Sequence, residues 1–214
     1  MGTLLVQRHP GGGVAPATTP AAEALDEKAQ AIVDAAQKDT PSREERAKNV
    51  VWSILRTYYA DRLDLVKDVT YPSPIQGLLT STPARARKGA QKGSIAVSDY
   101  FLDETTTHGF ARRVLQVGHE LMHIEQHRQG MGGGDKSAER EFLAFAWEGT
   151  ATEVAGTGHM NRGTRLNLLN EAIKQYQALD EGHQKRYKDQ YDEVVKKKEA
   201  LEASKKKKKA AASP

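Results

Sequence analysis

Positions 119–123 of the chain read His-Glu-Leu-Met-His, inside a stretch, residues 110–129, that contains no proline and a single glycine. Residues four apart lie on the same face of an α-helix, so a helix through this stretch offers the imidazoles of His119 and His123 to one metal ion. Glu120 lies about 100° further round the helix. It therefore stands beside the metal, where a base can take a proton from a metal-bound water.

Winding the same stretch as a helix separates its apolar residues from its ionisable ones. The apolar residues of one broad side are Phe110, Val114, Leu115, Val117, Leu121, Met122 and Ile124. The two histidines and the glutamate fall on the opposite side, together with His127. The pattern predicts a helix that packs one side into a core and turns the other side to a cleft.

A second helix is predicted over residues 137–153, and its middle, residues 142–147, is apolar almost all round. Glu141 and Glu148 are seven residues apart on it and project within about 20° of each other. A carboxylate on a buried helix costs several kcal/mol unless it is paired. A metal held by the two histidines is such a partner. Glu141 is preferred as third ligand over Glu148, and the other glutamate is expected to bond a ligating imidazole or an arginine.

The chain contains no cysteine, so histidine and carboxylate side chains must hold any metal. Two histidines, one glutamate and a water form the open tetrahedral arrangement of a catalytic zinc. In that arrangement Glu120 takes the proton of the water, and the hydroxide attacks a carbonyl polarised by the metal. We therefore expect Zn²⁺ as the cofactor and hydrolysis by a metal-activated water as the reaction.

These motifs carry a family resemblance. The run HELMH followed by a glutamate on a second helix resembles the zincin metallopeptidases of the gluzincin type. The longer run HELMHIEQH is similar to the HExxH domains of bacterial toxins and contractile-injection-system cargo. The run EFLAFAW, at residues 141–147, is similar to the third-ligand helix of the anthrax lethal-factor group. The resemblance covers about residues 93–155.

The resemblance implies a zinc metalloprotease with a zincin-like α+β fold. In such a fold a small mixed sheet with an edge strand packs on the HExxH helix, a second helix carries the glutamate, and further helices follow. The implied zinc ligands are His119, His123 and Glu141, and the implied catalytic base is Glu120. The implied partners are a protein or peptide substrate and a delivery apparatus. The implied location is the bacterial cytoplasm before export by a non-classical route.

The sequence departs from two related patterns. The metzincin extension requires a glycine and a further histidine where this chain has Gln126 and Gln129, which excludes that branch. The lethal-factor group has a tyrosine shortly before its third ligand, and residues 130–140 contain none. His159 is therefore a candidate oxyanion donor, with Tyr187 and Tyr191 more remote; an ordinary loop or packing role is the alternative for each.

Composition divides the chain into three parts. Residues 1–39 are rich in Gly, Ala, Pro and Thr and predict a disordered leader or linker, with a delivery segment as the alternative. Within them, residues 21–37 could form at most a weak alanine-rich helix. Residues 40–203 form the expected zincin-like domain. Residues 204–214 predict a disordered lysine-rich tail. The net charge of +4 is concentrated in the lysine runs near this end, so no specific nucleic-acid partner is expected.

The remaining elements follow from shorter patterns. A first core helix is expected from a cap at Ser42 to about Arg62, strands at 65–71, 75–81 and 93–102, and a loop or hairpin tip at 85–92. The strand at 93–102 could be an edge that binds an extended peptide, with an ordinary member of the sheet as the alternative. Further helices are expected from 164 to 203, with an interruption near Gly182.

The sequence lacks two targeting features, and it allows two functions other than a protease. No run has the length of a membrane span, and the start of the chain lacks the features of a secretion signal. A non-catalytic cargo or scaffold domain with a structural or vestigial metal site is the main alternative to the protease. A nucleic-acid binder that acts through its lysine tail is a third hypothesis.

Overall fold

Helices dominate the part of the chain that the computed structural model describes, which is residues 25–71, 84–87, 92–131, 137–151 and 154–211. The elements are α1 (Glu27–Gln37), α2 (Arg43–Tyr58), a 3₁₀ helix (Ala60–Leu65), β1 (Val66–Thr70), β2 (Ala84–Arg87), β3 (Gly93–Val97), α3 (Asp99–Asp103), α4 (Phe110–Arg128), α5 (Ser137–Thr150), α6 (Arg162–Gln177), α7 (Glu181–Arg186) and α8 (Lys188–Ala211). The coarse α+β class predicted from the sequence is confirmed.

The three described strands form one small mixed sheet in the order β1-β3-β2. β3 pairs in parallel with β1 and antiparallel with β2. Of the two interpretations of the strand at 93–102, the ordinary sheet member is confirmed and the edge strand is wrong, because β3 lies between the other two described strands; β3 also ends at Val97. Three consecutive residues of β3, Ile95 to Val97, are buried, which is typical of a strand covered on both faces.

β2 also differs from the sequence prediction. Its residues, Ala84–Arg87, fall in and beside the basic stretch at 85–92 that was expected to be a loop or hairpin tip. It forms an edge of the described sheet and lies close to α4. Its arginines obscured the strand, since basic residues are not typical of strand interiors and the pairing with β3 is not visible in local sequence. The strand predicted at 75–81 lies outside the described residues.

α1 extends the folded domain into the segment expected to be a disordered leader. Asp26 caps it by accepting a hydrogen bond from the backbone N–H of Ala29 at 2.7 Å, and the backbone N–H of Asp26 donates to Gly156 O at 2.9 Å. Its buried residues are Ala29, Ile32, Val33 and Ala36. These have the spacing of one helical face, and they pack against α2 in the main core. The leader prediction was therefore wrong for residues 27–37, and residues 1–24 lie outside the described part.

α8 continues to Ala211, so the lysine run at 205–209 is helical in its backbone and the expected disordered tail from 204 was wrong up to that residue. Lysine, alanine and glutamate favour helix, and no glycine or proline interrupts the run. The helix breaks fall at 178–180 and at Tyr187 instead of near Gly182. Among the described helices, none combines the length and apolar character needed to cross a membrane. Residues 212–214 lie outside the described part.

Two apolar clusters meet where α4 and α5 cross. One cluster contains buried residues of α1, α2, the sheet, α3 and α4, and the other is built on α5, α6 and α8. Trp147 of α5 packs against the first cluster, and Met122 of α4 packs against the second. Gly118 permits the close approach, because a Cβ there would overlap the Trp147 ring and the Tyr59 hydroxyl. The histidine-bearing helix and the glutamate-bearing helix are thereby held against each other.

We expect Ile32→Ala to destabilise the protein by about 2–5 kcal/mol, because it removes buried apolar volume between α1 and α2. Lys28→Ala on the exposed side of the same helix is the matched control and should stay within about 0.5 kcal/mol of the wild type. Urea unfolding of the full chain measures both. Equal midpoints for the two variants would mean that α1 does not contribute to the core.

Candidate metal centre

α4 carries the His-Glu-Leu-Met-His pattern as one uninterrupted helix, in agreement with the helix predicted at 110–129. His119 is buried and His123 is partly buried. Their rings lie 4.7 Å apart between centroids, one turn above the other. Phe145 of α5 packs edge-on against His119 with its centroid 4.8 Å away. The two imidazoles therefore face the seam between α4 and α5.

Glu141 of α5 faces both imidazoles. Its Oε2 lies 3.7 Å from His119 Nε2, and its Oε1 lies 3.4 Å from His123 Nε2. One ligand atom from each of the three residues lies within 4.8 Å of the others. Two ligands about 2.1 Å from a tetrahedral ion are themselves about 3.4 Å apart, whereas a direct charge-assisted hydrogen bond is about 2.7–2.9 Å long. The separations match atoms that share an ion, and the group could hold a metal ion.

The outer nitrogens of both imidazoles have partners of their own. His119 Nδ1 lies 3.0 Å from Glu148 Oε2, and His123 Nδ1 lies 2.9 Å from Gln126 Oε1. A carboxylate accepts, so His119 donates from Nδ1 to Glu148, and its Nε2 is the nitrogen that faces Glu141 and could bind an ion. Glu148, the alternative third ligand, is buried on the far side of His119 and is not a member of the metal group.

Glu120 is buried on α4 directly after His119. Its charge is close enough to raise the pKa of His119. With Glu141 and Glu148 it makes three carboxylates around two imidazoles. The centre is therefore rich in negative charge, which suits a bound cation.

The pKa values describe a site that attracts positive charge. Burial alone would lower the pKa of His119, but the nearby carboxylate of Glu141, the hydrogen bond to Glu148 and the charges of Glu148 and Glu120 raise it to about 10. Burial alone would raise the pKa of the Glu141 carboxyl, yet the imidazoles of His119 and His123 facing it hold that pKa well below the usual value. Without a metal, these side chains therefore hold a proton on His119, at the position where a metal cation could bind.

None of the candidate oxyanion donors is one of the three converging residues, and the oxyanion role stays a prediction for each. His159 is exposed in the segment between α5 and α6 and is not one of the three residues that converge. The Tyr187 hydroxyl donates to the buried carboxylate of Glu139. Tyr191 stacks on Tyr176 with ring centroids 4.0 Å apart. Both tyrosines therefore pack in the second apolar cluster.

Sequence reasoning missed the role of Gln126. The side chain was noted only for departing from the metzincin pattern, yet it is buried and contacts His123. The available signal was its position three residues after a ligand candidate, which puts it on the same face of the helix.

The fold and the site together define a mostly helical α+β domain with a His-His-Glu group that could hold a metal ion. No protein-family model, no curated protein and no solved structure matches the chain.

We expect metal binding near pH 8 to release about one proton, because His119 is protonated there and its Nε2 must lose that proton to bind an ion. Calorimetric titration with Zn²⁺ in buffers of different ionisation enthalpy measures the release. Binding without proton release would contradict the assigned environment of His119.

The raised pKa of His119 also predicts how the stability of the chain depends on pH when a chelator keeps it free of metal. A raised pKa stabilises the folded state fully below the ordinary value of 6.5, and this contribution is lost as pH rises to about 10. The free energy of unfolding should therefore contain a component that falls across this window. His119→Gln should lack that component, and an identical pH profile for the variant and the wild type would rule it out.

Proposed function

We propose that the protein is a zinc-dependent endopeptidase that hydrolyses peptide bonds with an activated water. The observation that carries the proposal is the convergence of both Nε2 atoms and the Glu141 carboxylate, with Glu120 next to them on α4. Three protein ligands of this composition, with a fourth position left open, are typical of catalytic zinc. Imidazole ligands also suit zinc better than magnesium or calcium.

Each residue has a role in this mechanism. An ion held by His119, His123 and Glu141 would lower the pKa of water from 15.7 to about 7 and polarise the scissile carbonyl. Glu120 takes one proton of the attacking water while the new C–O bond forms. It then delivers that proton to the leaving nitrogen as the C–N bond breaks. The products are a carboxylic acid and an amine, so atoms and charge balance.

The bacterial effector or toxin assignment is also part of the proposal. It is supported by the resemblance of the run HELMHIEQH to toxin domains and contractile-injection cargo. A delivered enzyme of this kind acts on a protein or peptide substrate after export from the bacterial cytoplasm by a non-classical route. A delivery apparatus is then its second partner.

A non-catalytic scaffold with a structural metal is the second candidate. It is favoured by the position of the group, since an ion there would join α4 to α5 and thus one apolar cluster to the other. Metal-binding free energy is then folding free energy. This candidate assigns no proton transfer to Glu120.

We expect Glu120→Gln to keep about one zinc per chain and to lose peptide-bond cleavage by a factor of at least about 10²–10⁴, because the proton acceptor is gone. Glu125→Gln is the matched control on the same helix, since the Glu125 side chain is 43% exposed and pairs only loosely with Arg62. Incubating the zinc-loaded variants with a cell proteome and sequencing the new N-termini measures cleavage without knowledge of the substrate.

The outcomes separate the two candidates. Cleavage by the wild type and the Glu125 variant, but not by the Glu120 variant, supports the peptidase. Cleavage by the Glu120 variant at the wild-type rate would show that Glu120 is not the base. A zinc-loaded wild type that cleaves nothing, and unfolds when zinc is removed, would favour the scaffold.

A further inference from the structure

We propose that Gln126 is a positioning residue that sets the orientation of His123 and ties it to the peptide bond preceding Glu141. The inference deepens the proposed metal site and rests on it. Gln126 is buried on α4, three residues after His123. Its side chain contacts both ligand-bearing helices.

Both ends of the Gln126 amide are used. Its Oε1 lies 2.9 Å from His123 Nδ1, and its Nε2 donates to the backbone carbonyl of Arg140 at 3.2 Å. The Arg140 carbonyl belongs to the peptide bond that leads into Glu141. One side chain of α4 therefore connects the second imidazole to the backbone beside the carboxylate ligand of α5.

The chemistry of these groups permits one arrangement of protons. A backbone carbonyl only accepts hydrogen bonds, so the amide must turn its Nε2 toward Arg140 and its Oε1 toward His123. The oxygen also only accepts, so His123 must carry its proton on Nδ1. When an ion is bound, the Nε2 of His123 is then the nitrogen that offers its lone pair to that ion beside Glu141. The backbone of α5 thus selects the tautomer of His123 through Gln126.

Met131, which follows α4, bonds to the same two residues, Gln126 and Arg140. The backbone N–H of Met131 donates to the carbonyl of Gln126 at 2.9 Å, and the Arg140 guanidinium donates to the carbonyl of Met131 at 2.5 Å. The backbone of Met131 is therefore bonded to the backbone of Gln126 and to the side chain of Arg140. These bonds limit how far His123 and Glu141 can move apart.

The two imidazoles are held by different chemistry. His119 has the carboxylate of Glu148 as its outer partner, whereas His123 has a neutral amide. A carboxylate at position 126 could still accept from His123, but it could not donate to Arg140 and would set a negative charge against that carbonyl. The amide is therefore specifically suited to the link between the helices.

The test measures Zn²⁺ affinity of the full chain by competition with a chromophoric chelator, and the visible spectrum after substitution with Co²⁺. We expect Gln126→Leu and Gln126→Glu each to weaken zinc binding by about 10–100-fold and to change the cobalt spectrum. Gln129→Leu, at an exposed position just beyond α4, is the control and should bind as the wild type does. Neither readout requires peptidase activity.

Two results would overturn the inference. Zinc affinity and cobalt spectrum unchanged in Gln126→Leu would show that the amide does not position His123. Full wild-type behaviour of Gln126→Glu would show that the link to Arg140 is not needed. His123→Ala separates this failure from failure of the metal site itself, because that variant must lose zinc if the site is correct, whatever Gln126 does.

A measurement on the wild type covers the case in which a variant does not fold. Nitrogen-15 NMR of the histidine side chains in the zinc-loaded chain reports which ring nitrogen carries the proton. We expect the His123 proton on Nδ1, coupled to a hydrogen bond that slows its exchange. A proton on Nε2 of His123 would contradict the proposal directly.

Discussion

The contact on which the rest of the structure depends is the approach of one carboxylate to two imidazoles across the seam between α4 and α5. Glu141 faces the Nε2 atoms of both histidines, at distances that leave room for an ion between them. Bringing several ionisable groups together in a mostly buried seam is costly unless their charges are balanced. A cation, whether a proton on His119 or a metal ion, supplies that balance. The site is thus both a place for chemistry and a constraint on how the two helices pack.

The surrounding scaffold makes this approach possible. Gly118, directly before His119, leaves space for Trp147 from α5. The hydroxyl of Tyr59 donates to the Val114 carbonyl of α4 at 2.8 Å and anchors that helix to the end of α2. Such contacts fix the backbone from which the histidines project. The orientation of the rings is then set by Glu148 and Gln126, which hold the outer nitrogens.

The sequence predicted the parts of the molecule that depend on local periodicity. α4 and α5 followed from helical spacing, and the expected meeting of His119, His123 and Glu141 followed from the positions of those residues on two neighbouring helices. The order of the strands was not predictable in this way, because β3 owes its central place to pairing with distant segments. α1 was expected at most as a weak alanine-rich helix outside the core, because its composition resembles a linker, although its buried positions repeat at helical spacing. The choice between Glu141 and Glu148 also stayed open, since both project from the same side of α5 and only the packing of that helix against α4 distinguishes them.

The central claim is that the three side chains bind a single ion, and anomalous diffraction at the zinc absorption edge tests it most directly. Crystals grown with Zn²⁺ should show one anomalous peak about 2.0–2.2 Å from His119 Nε2, His123 Nε2 and a Glu141 oxygen. Glu148 should stay hydrogen-bonded to the outer nitrogen of His119. A peak coordinated by Glu148 in place of Glu141, or imidazoles that turn apart with no peak between them, would contradict the account.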